Sequence, residues 1–161
     1  VAIAVVMIST KVGARKRINN PATSETSAVA LTNTINMKNQ IATTNAPAAI
    51  GPYSQAIEVN GFVFASGQIP INPATGEFVE GGIKEQTRQA LNNAREIMRA
   101  AGLDLCNVVK TSVMLADIKY FAEMNEVYAE FFNEPFPARS AFAVKDLPKG
   151  ALVEVECIAA K

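Results

Sequence analysis

The chain has 161 residues, 49% hydrophobic and 19% charged, and its 15 basic and 15 acidic side chains cancel. That length fits one domain, and that apolar content supports a buried core and argues against disorder. Histidine is absent, which removes Ser-His-Asp and Cys-His nucleophilic mechanisms and the histidine-containing zinc deaminase pattern together. The two cysteines, Cys106 and Cys157, make no disulfide framework and, without histidine, no zinc site. No glycine-rich phosphate loop follows a strand-like run. Chemistry therefore falls to arginine, carboxylates, tyrosine, hydroxyls, backbone groups and water, with no metal and no cofactor expected.

The charge is uneven along the chain. Residues 1–36 hold Lys11, Arg15, Lys16 and Arg17 against Glu25 alone, leaving 11 basic and 14 acidic residues, a net of −3, to residues 37–161. A mildly acidic domain argues against a phosphate-binding surface, so no nucleic-acid partner is expected. Val1–Ile8 is an apolar run too short to span a bilayer, and the basic cluster follows it, where a secretory signal puts its charge first. Residues 1–36 read as a disordered leader in either of two ways: an over-extended start with Met37 the natural initiator, or an organelle transit segment. The expected compartment is the cytoplasm, or an organelle on the second reading, and no membrane partner is expected.

Residues 37–161 read as the folded domain. Lys38–Thr43 is a plausible first strand, and Asn45–Pro52 a loop punctuated by Pro47, Gly51 and Pro52. Ser54–Val59 and Phe62–Gly67 are strand-like runs separated by Asn60-Gly61, the strongest short-range hairpin signal. Asn72–Gly82 is a loop. Over Ile83–Ala101, the residues Ile83, Thr87, Ala90, Leu91, Ala94, Ile97, Met98 and Ala101 form one helical stripe, and Gly102 stands where a C-terminal cap belongs. Val108–Ala116 is a strand. Asp117 is placed to cap a second helix running to about Phe132, ended by Pro135 and Pro137. Two C-terminal strands flank the turn Pro148-Lys149-Gly150.

Those two strands carry the candidate chemistry. Period-two alternation puts Val153, Val155 and Cys157 on one face and Glu154 and Glu156 on the other. It puts Ser140, Phe142 and Val144 on one face and Arg139, Ala141 and Ala143 on the other. If Phe142 and Val155 look into the core, Arg139 and Glu156 both look out of it, a fixed cation and a carboxylate on the open side of the sheet. The plain alternative is a solvated surface Arg and Glu, which spacing by itself favours. Two helices cover only one face of such a sheet, giving an α+β two-layer sandwich. Its open face, expected to carry Ala141, Ala143 and Leu152, needs oligomerisation to cover it.

Pro137-Ala138-Arg139-Ser140 followed by Val153-Glu154-Val155-Glu156-Cys157-Ile158-Ala159 resembles the C-terminal signature of the Rid family, the YjgF-like reactive-intermediate deaminases. Ala46–Ala56 resembles the family's N-terminal motif and Phe64–Pro70 its second. Ala101-Gly102-Leu103, Asp117 and Asn125-Glu126-Val127-Tyr128 follow in the expected order, so the resemblance runs from about Lys38 to Lys161. It implies a chorismate-mutase-like fold, a mixed β-sheet with two helices on one face, assembled as a homotrimer around a central barrel with clefts between subunits. It also implies hydrolysis of reactive 2-imino acids, such as 2-iminobutanoate and 2-iminopropanoate, to 2-keto acids and ammonia.

Within that resemblance Arg139 binds the substrate carboxylate and Glu156 holds the attacking water. Gly67 and Ala141 contribute backbone groups, while Tyr53 and Ser66 line the cleft and Asn125 matches another motif position. Packing or strand-edge roles for Tyr53 and Ser66, and a structural hydrogen bond for Asn125, are the plain alternatives. Family members often carry cysteine where Ala141 stands, which leaves the alanine a backbone role. Tyr120, Tyr128 and Glu154 read as core, interface or solvated residues. The chemistry suits this set: an Arg fork grips a carboxylate bidentately, and a nearby carboxylate orients water and passes a proton. A small 2-keto-acid-binding trimer without turnover fits the same residues. An endoribonuclease or translation inhibitor fits them less well, because the domain is acidic and lacks a basic aromatic stripe.

Overall fold

The structure, a computed structural model, describes residues 37–161; the expectations for residues 1–36 lie outside the described residues. Eight regular elements follow in order. They are β1 (Asn39–Ile41), β2 (Ala56–Val59), β3 (Phe62–Gln68), α1 (Ile83–Ala100), β4 (Val108–Leu115), α2 (Phe121–Phe131), β5 (Ala138–Ala143) and β6 (Val153–Ala160). The strands form one sheet in the order β1-β2-β3-β6-β4-β5. Only β4 and β5 run parallel, joined by the crossover through α2; the other neighbours are antiparallel. This is the expected α+β arrangement, with both helices on one face. No helix among the described residues is long and apolar enough to cross a membrane.

Local chemistry explains the elements. Val59 pairs directly with Phe62, and Asn60 and Gly61 have φ of 53° and 77°, the doubly left-handed loop that Asn-Gly favours and that matches strand twist. At the end of α1, Gly102 has φ 75° and the Leu103 N–H donates to the Met98 carbonyl at 2.9 Å, a Schellman closure. Asp117 accepts from the Lys119 N–H at 2.9 Å, so it caps the short 3₁₀ turn Ile118–Tyr120 that leads into α2 rather than α2 itself.

The core lies between the helices and one sheet face. Leu91, Ala94, Ile97 and Met98 of α1 and Met124 of α2 are fully buried against Val63, Val113, Val153, Val155 and Cys157. Thr87, in the middle of that stripe, satisfies its hydroxyl by donating to the Ile83 carbonyl at 2.7 Å. The Cys157 thiol is pushed up to about 12 by burial and, secondarily, by the Glu156 charge, so it packs as a small apolar side chain.

The opposite face is open, and its occupants correct the expectation. Ala141 and Leu152 are half-buried against the core cluster instead. Ala143 keeps step with Ala141 along β5, on the helix side. The open face carries Phe62, Phe64 and Phe142, each 44–46% exposed, beside half-buried Ile57, Met114 and Ile158. The open face is therefore apolar, with a different set of residues from the expected one.

Candidate active site

Strand register decides where Arg139 and Glu156 point. Arg139 pairs with Thr111 on β4, and Thr111 pairs with Cys157 on β6. Thr111 and Cys157 are buried under the helices, so Arg139 lies on the helix side. Glu156 pairs with Ser112, which pairs with Ser140, and all three belong to the open face. Arg139 and Glu156 therefore stand on opposite faces of their own sheet, against the expectation that both look out of the core. The alternation along β5 was as expected but its phase was inverted. Phe142 faces outward, and the smaller Ala141 and Ala143 share the helix side with Arg139.

At the β5 edge Arg139 is held by α2. Its Nη2 donates to Asn125 Oδ1 at 2.8 Å. The guanidinium carbon lies 4.4 Å from the Tyr128 ring centroid and 5.7 Å from that of Phe121, a cation–π geometry. Phe121, Asn125 and Tyr128 are spaced i, i+4, i+7 on one helical stripe, so one face of α2 builds the cradle. Among the described residues no salt bridge engages Arg139. A cavity of about 330 Å³ opens beside it, walled by Ala129, Phe136 and Pro137. Ala141 follows two residues along β5, an edge strand whose outer row of backbone groups has no partner in the sheet.

A second group gathers around a bulge in β3. Pairing with β6 shifts register between Ala65 and Gln68, so Ser66 and Gly67 bow out of the ladder. Buried Gln68 holds the bulge, donating to the Ser66 and Gly67 carbonyls at 3.1 and 3.2 Å. Ser66 Oγ donates to the Ser54 carbonyl at 2.7 Å, so its proton is committed to the strand edge. Gly67 is required for close approach: a Cβ there would lie 1.8 Å from Glu154 Oε1. Burial, then the neighbouring Glu156 charge, pushes the Glu154 carboxyl above its ordinary value.

Two concavities meet at this bulge. One, about 400 Å³ on the open face, is lined by Ser54, Ser66, Lys110, Ser112 and Glu156 among others. Lys110, which lines it, donates from Nζ to Ser140 Oγ at 2.7 Å. The other, about 290 Å³, includes Tyr53, Gly67 and Lys149. Half-exposed Tyr53 is set by the preceding loop, which buried Gln55 ties together: its Nε2 is shared among the carbonyls of Thr43, Ala46 and Pro47 at 2.8–3.2 Å, and its Oε1 accepts from the Thr43 N–H at 2.7 Å.

The expected residues thus fall into two groups, Arg139 with Asn125 and Ala141 at the β5 edge, and Tyr53, Ser66, Gly67 and Glu156 at the bulge. A single chain does not unite them. Sequence reasoning missed Gln55, Gln68, Phe121, Tyr128 and the contact of Glu154 on Gly67. The i, i+4, i+7 spacing was the available signal for the α2 cradle; the two buried glutamines have no spacing signature.

A family model described as Endoribonuclease L-PSP matches residues 43–161. The chain belongs to the Endoribonuclease L-PSP, or Rid, family. A RutC family protein of Pyrococcus horikoshii is 57% identical over 125 residues, covering 78% of this chain and 99% of that one. The Bos taurus protein named 2-iminobutanoate/2-iminopropanoate deaminase is 53% identical over 119 residues, covering 74% of this chain and 87% of that one. A Rid-family protein from Yersinia pestis, described as of unknown function, superposes with a TM-score of 0.76 at 51% identity, covering 78% of this chain and all of that one. Of the Rid motifs quoted from the sequence, Asn125–Tyr128 and Pro137–Ser140 fall on the first group and the stretches with Tyr53, Ser66–Gly67 and Glu156 on the second, while Ala101-Gly102-Leu103 closes the end of α1.

Proposed function

We propose that this Rid protein is a hydrolytic deaminase of small 2-imino acids, 2-iminobutanoate and 2-iminopropanoate, released by pyridoxal-phosphate-dependent dehydratases. The observation that carries the reading is Arg139: a guanidinium held by Asn125 and two aromatic rings, with no salt-bridge partner among the described residues, lining a cavity. Such a group suits a ligand carboxylate, which its planar fork grips bidentately. The name carried by the Bos taurus relative supports the same substrate class.

Hydrolysis also needs a placed water and a proton path, the role given to Glu156, with the Gly67 and Ala141 backbones, Tyr53 and Ser66 framing the cleft. Because Arg139 and Glu156 face opposite sides of one sheet, the complete site is read as lying between copies, in a homotrimer whose open, phenylalanine-bearing faces turn inward. Light scattering of the chain, and of residues 37–161 alone, is expected to give a trimer; a monomer at micromolar concentration would remove the shared site.

A 2-keto-acid-binding trimer without turnover is a second reading, favoured by one observation: Arg139 and Glu156 lie on opposite faces of the sheet and do not meet within a chain. Ammonia release separates the two. With a threonine dehydratase generating 2-iminobutanoate and semicarbazide trapping what survives, a deaminase shortens the imine's lifetime and a binding module leaves it unchanged. An endoribonuclease, which the family model's description names, is disfavoured by the net −3 of residues 37–161 and the lack of a basic aromatic stripe.

A further inference from the structure

We infer that Tyr128, locked by the buried hydroxyl of Thr111, is a positioning residue that holds the Arg139 guanidinium with its N–H edge free for a ligand carboxylate. The inference rests on the reading of Arg139 as carboxylate anchor.

Thr111 is fully buried on β4 and is the register partner of Arg139 on β5. Its Oγ1 is 2.8 Å from the Tyr128 phenol oxygen. That bond reaches from sheet to α2 and fixes the far end of the ring, while Phe132, one turn on, stacks with it at 4.4 Å between centroids. Tyr128 is 5% exposed, so its ring has little freedom. The same ring receives the guanidinium at 4.4 Å. The phenol and the guanidinium thus share one buried support that ties three elements together.

The manner of holding matters. A carboxylate partner would occupy the in-plane N–H groups that bidentate recognition needs. A ring takes the face of the planar cation instead and leaves its edge donors open. Of five N–H donors, one goes to Asn125 Oδ1. Arg139 also lines the cavity, and a guanidinium held in this way is preorganised, at little rotamer cost on binding. A Tyr in contact with the arginine of a carboxylate site therefore acts through that arginine, and its hydroxyl serves the fold rather than the proton chemistry. Burial raises the phenol's pKa, against the opposing Thr111 hydrogen bond and Arg139 charge, which keeps it neutral over the working range.

The test is calorimetric titration of the assembled full chain with 2-oxobutanoate and with its uncharged amide, 2-oxobutanamide. Tyr128→Leu removes the ring face and is expected to weaken 2-oxobutanoate by roughly 2- to 30-fold, the span of cation–π contributions, and to leave the amide unchanged. Tyr128→Phe keeps the ring face but gives up the bond to Thr111, and is expected to weaken 2-oxobutanoate by less than Tyr128→Leu does. Thr111→Val, nearly constant in volume, removes the lock while sparing the ring, and is expected to weaken the carboxylate ligand in the same direction if Tyr128→Leu does not fold. Wild-type affinity for 2-oxobutanoate in folded Tyr128→Leu, or in Thr111→Val where that is the variant that folds, overturns the inference. An equal loss for both ligands overturns it too, since that is the mark of general damage. Arg139→Lys separates this failure from the other: if it also leaves 2-oxobutanoate untouched, the anchor reading has fallen; if it alone weakens binding, only the role of Tyr128 has.

Discussion

The two ends of the candidate site are built differently. At the β5 edge Arg139 is held within one chain by the exposed Asn125 and Phe121 and by Tyr128, which alone of the three is buried and tied to the core through Thr111. At the β3 bulge, Glu156 stands exposed on an open apolar face and Tyr53 is half-exposed on a loop. The contrast teaches where preorganisation comes from. The surroundings of Arg139 are fixed within the chain, whereas Glu156 and Tyr53 are left open by it; on the proposed reading, assembly encloses them. Substitutions at the two ends should then fail in different ways.

The largest effect is expected from Glu156→Gln, which keeps size and removes the charge. If the bulge end handles water and protons, the deaminase rate falls ~10²–10⁴-fold, the usual worth of an acid-base group. Calorimetric affinity for 2-oxobutanoate persists, because the anchor is elsewhere. Full rate in a folded trimer would assign the water to another group. Arg139→Lys should do the converse. It keeps the charge but loses the fork, and affinity for the keto acid drops on the order of 10- to 100-fold, from the strength of charge-assisted hydrogen bonds. Similar losses of affinity in both variants would erase the distinction between the ends. They would also revive the idea that Glu156 serves Arg139, in that case across a subunit boundary.

Much of this contrast was visible in the sequence, and the part that was not has a definite cause. Alternation correctly grouped Arg139 with Ala141 and Ala143, and Glu156 with Glu154, because the strand period is two whatever surrounds it. Phase is a different quantity. Reading it from Phe142 rests on the premise that a phenylalanine marks the core side. That premise fails when both faces of a sheet carry apolar side chains, one set under helices and the other, with Phe142, on the open face. Register to Thr111 then decides, and register across a helical crossover is a tertiary fact. The hairpin at Asn60-Gly61 and the α1 stripe were legible because both are local: one is fixed by left-handed turn residues, the other by a repeat of 3.6. The cradle on α2 lay between these cases. Its spacing is on display, but from the sequence Asn125 is only a motif position and Tyr128 a core, interface or solvated residue, and only the strand opposite shows that they face a cation.

Gly67→Ala probes the bulge end structurally. The added methyl would meet Glu154 at Oε1, Cδ and Cγ, at 1.8, 2.7 and 2.9 Å, so the half-buried carboxyl must swing away. The expected cost is ~1–3 kcal/mol, as for overpacking, read as a lower urea midpoint with an unchanged slope. Binding at the β5 edge should be spared in protein that remains folded. Pairing the change with Glu154→Ala should recover most of the loss, because the clash needs both groups. If the double variant is no better than Gly67→Ala alone, the glycine is required by the bulge's backbone and not by its neighbour.

The smallest expected effect concerns Glu154 itself and runs opposite to the usual carboxylate. Its carboxyl is pushed above the ordinary value of 4.5 by burial first and by the Glu156 charge second. The folded state therefore binds this proton more readily than the unfolded chain does. Stability from that preference is fully present below about 4.5 and is lost as pH rises through the higher, folded-state value. Above that value the ionised carboxylate is carried at a cost. Glu154→Gln resembles the protonated form, so it should raise Tm at pH 7, and the gain should shrink on acidification, where the wild-type carboxyl is protonated in both states. Scanning calorimetry of both proteins at pH 4 and pH 7 measures the difference. A gain that is equal at the two pH values would trace to packing instead of charge. A loss at pH 7 would mean that the carboxylate is compensated by a cation on the covering subunit, which would place a basic group of that subunit against the bulge.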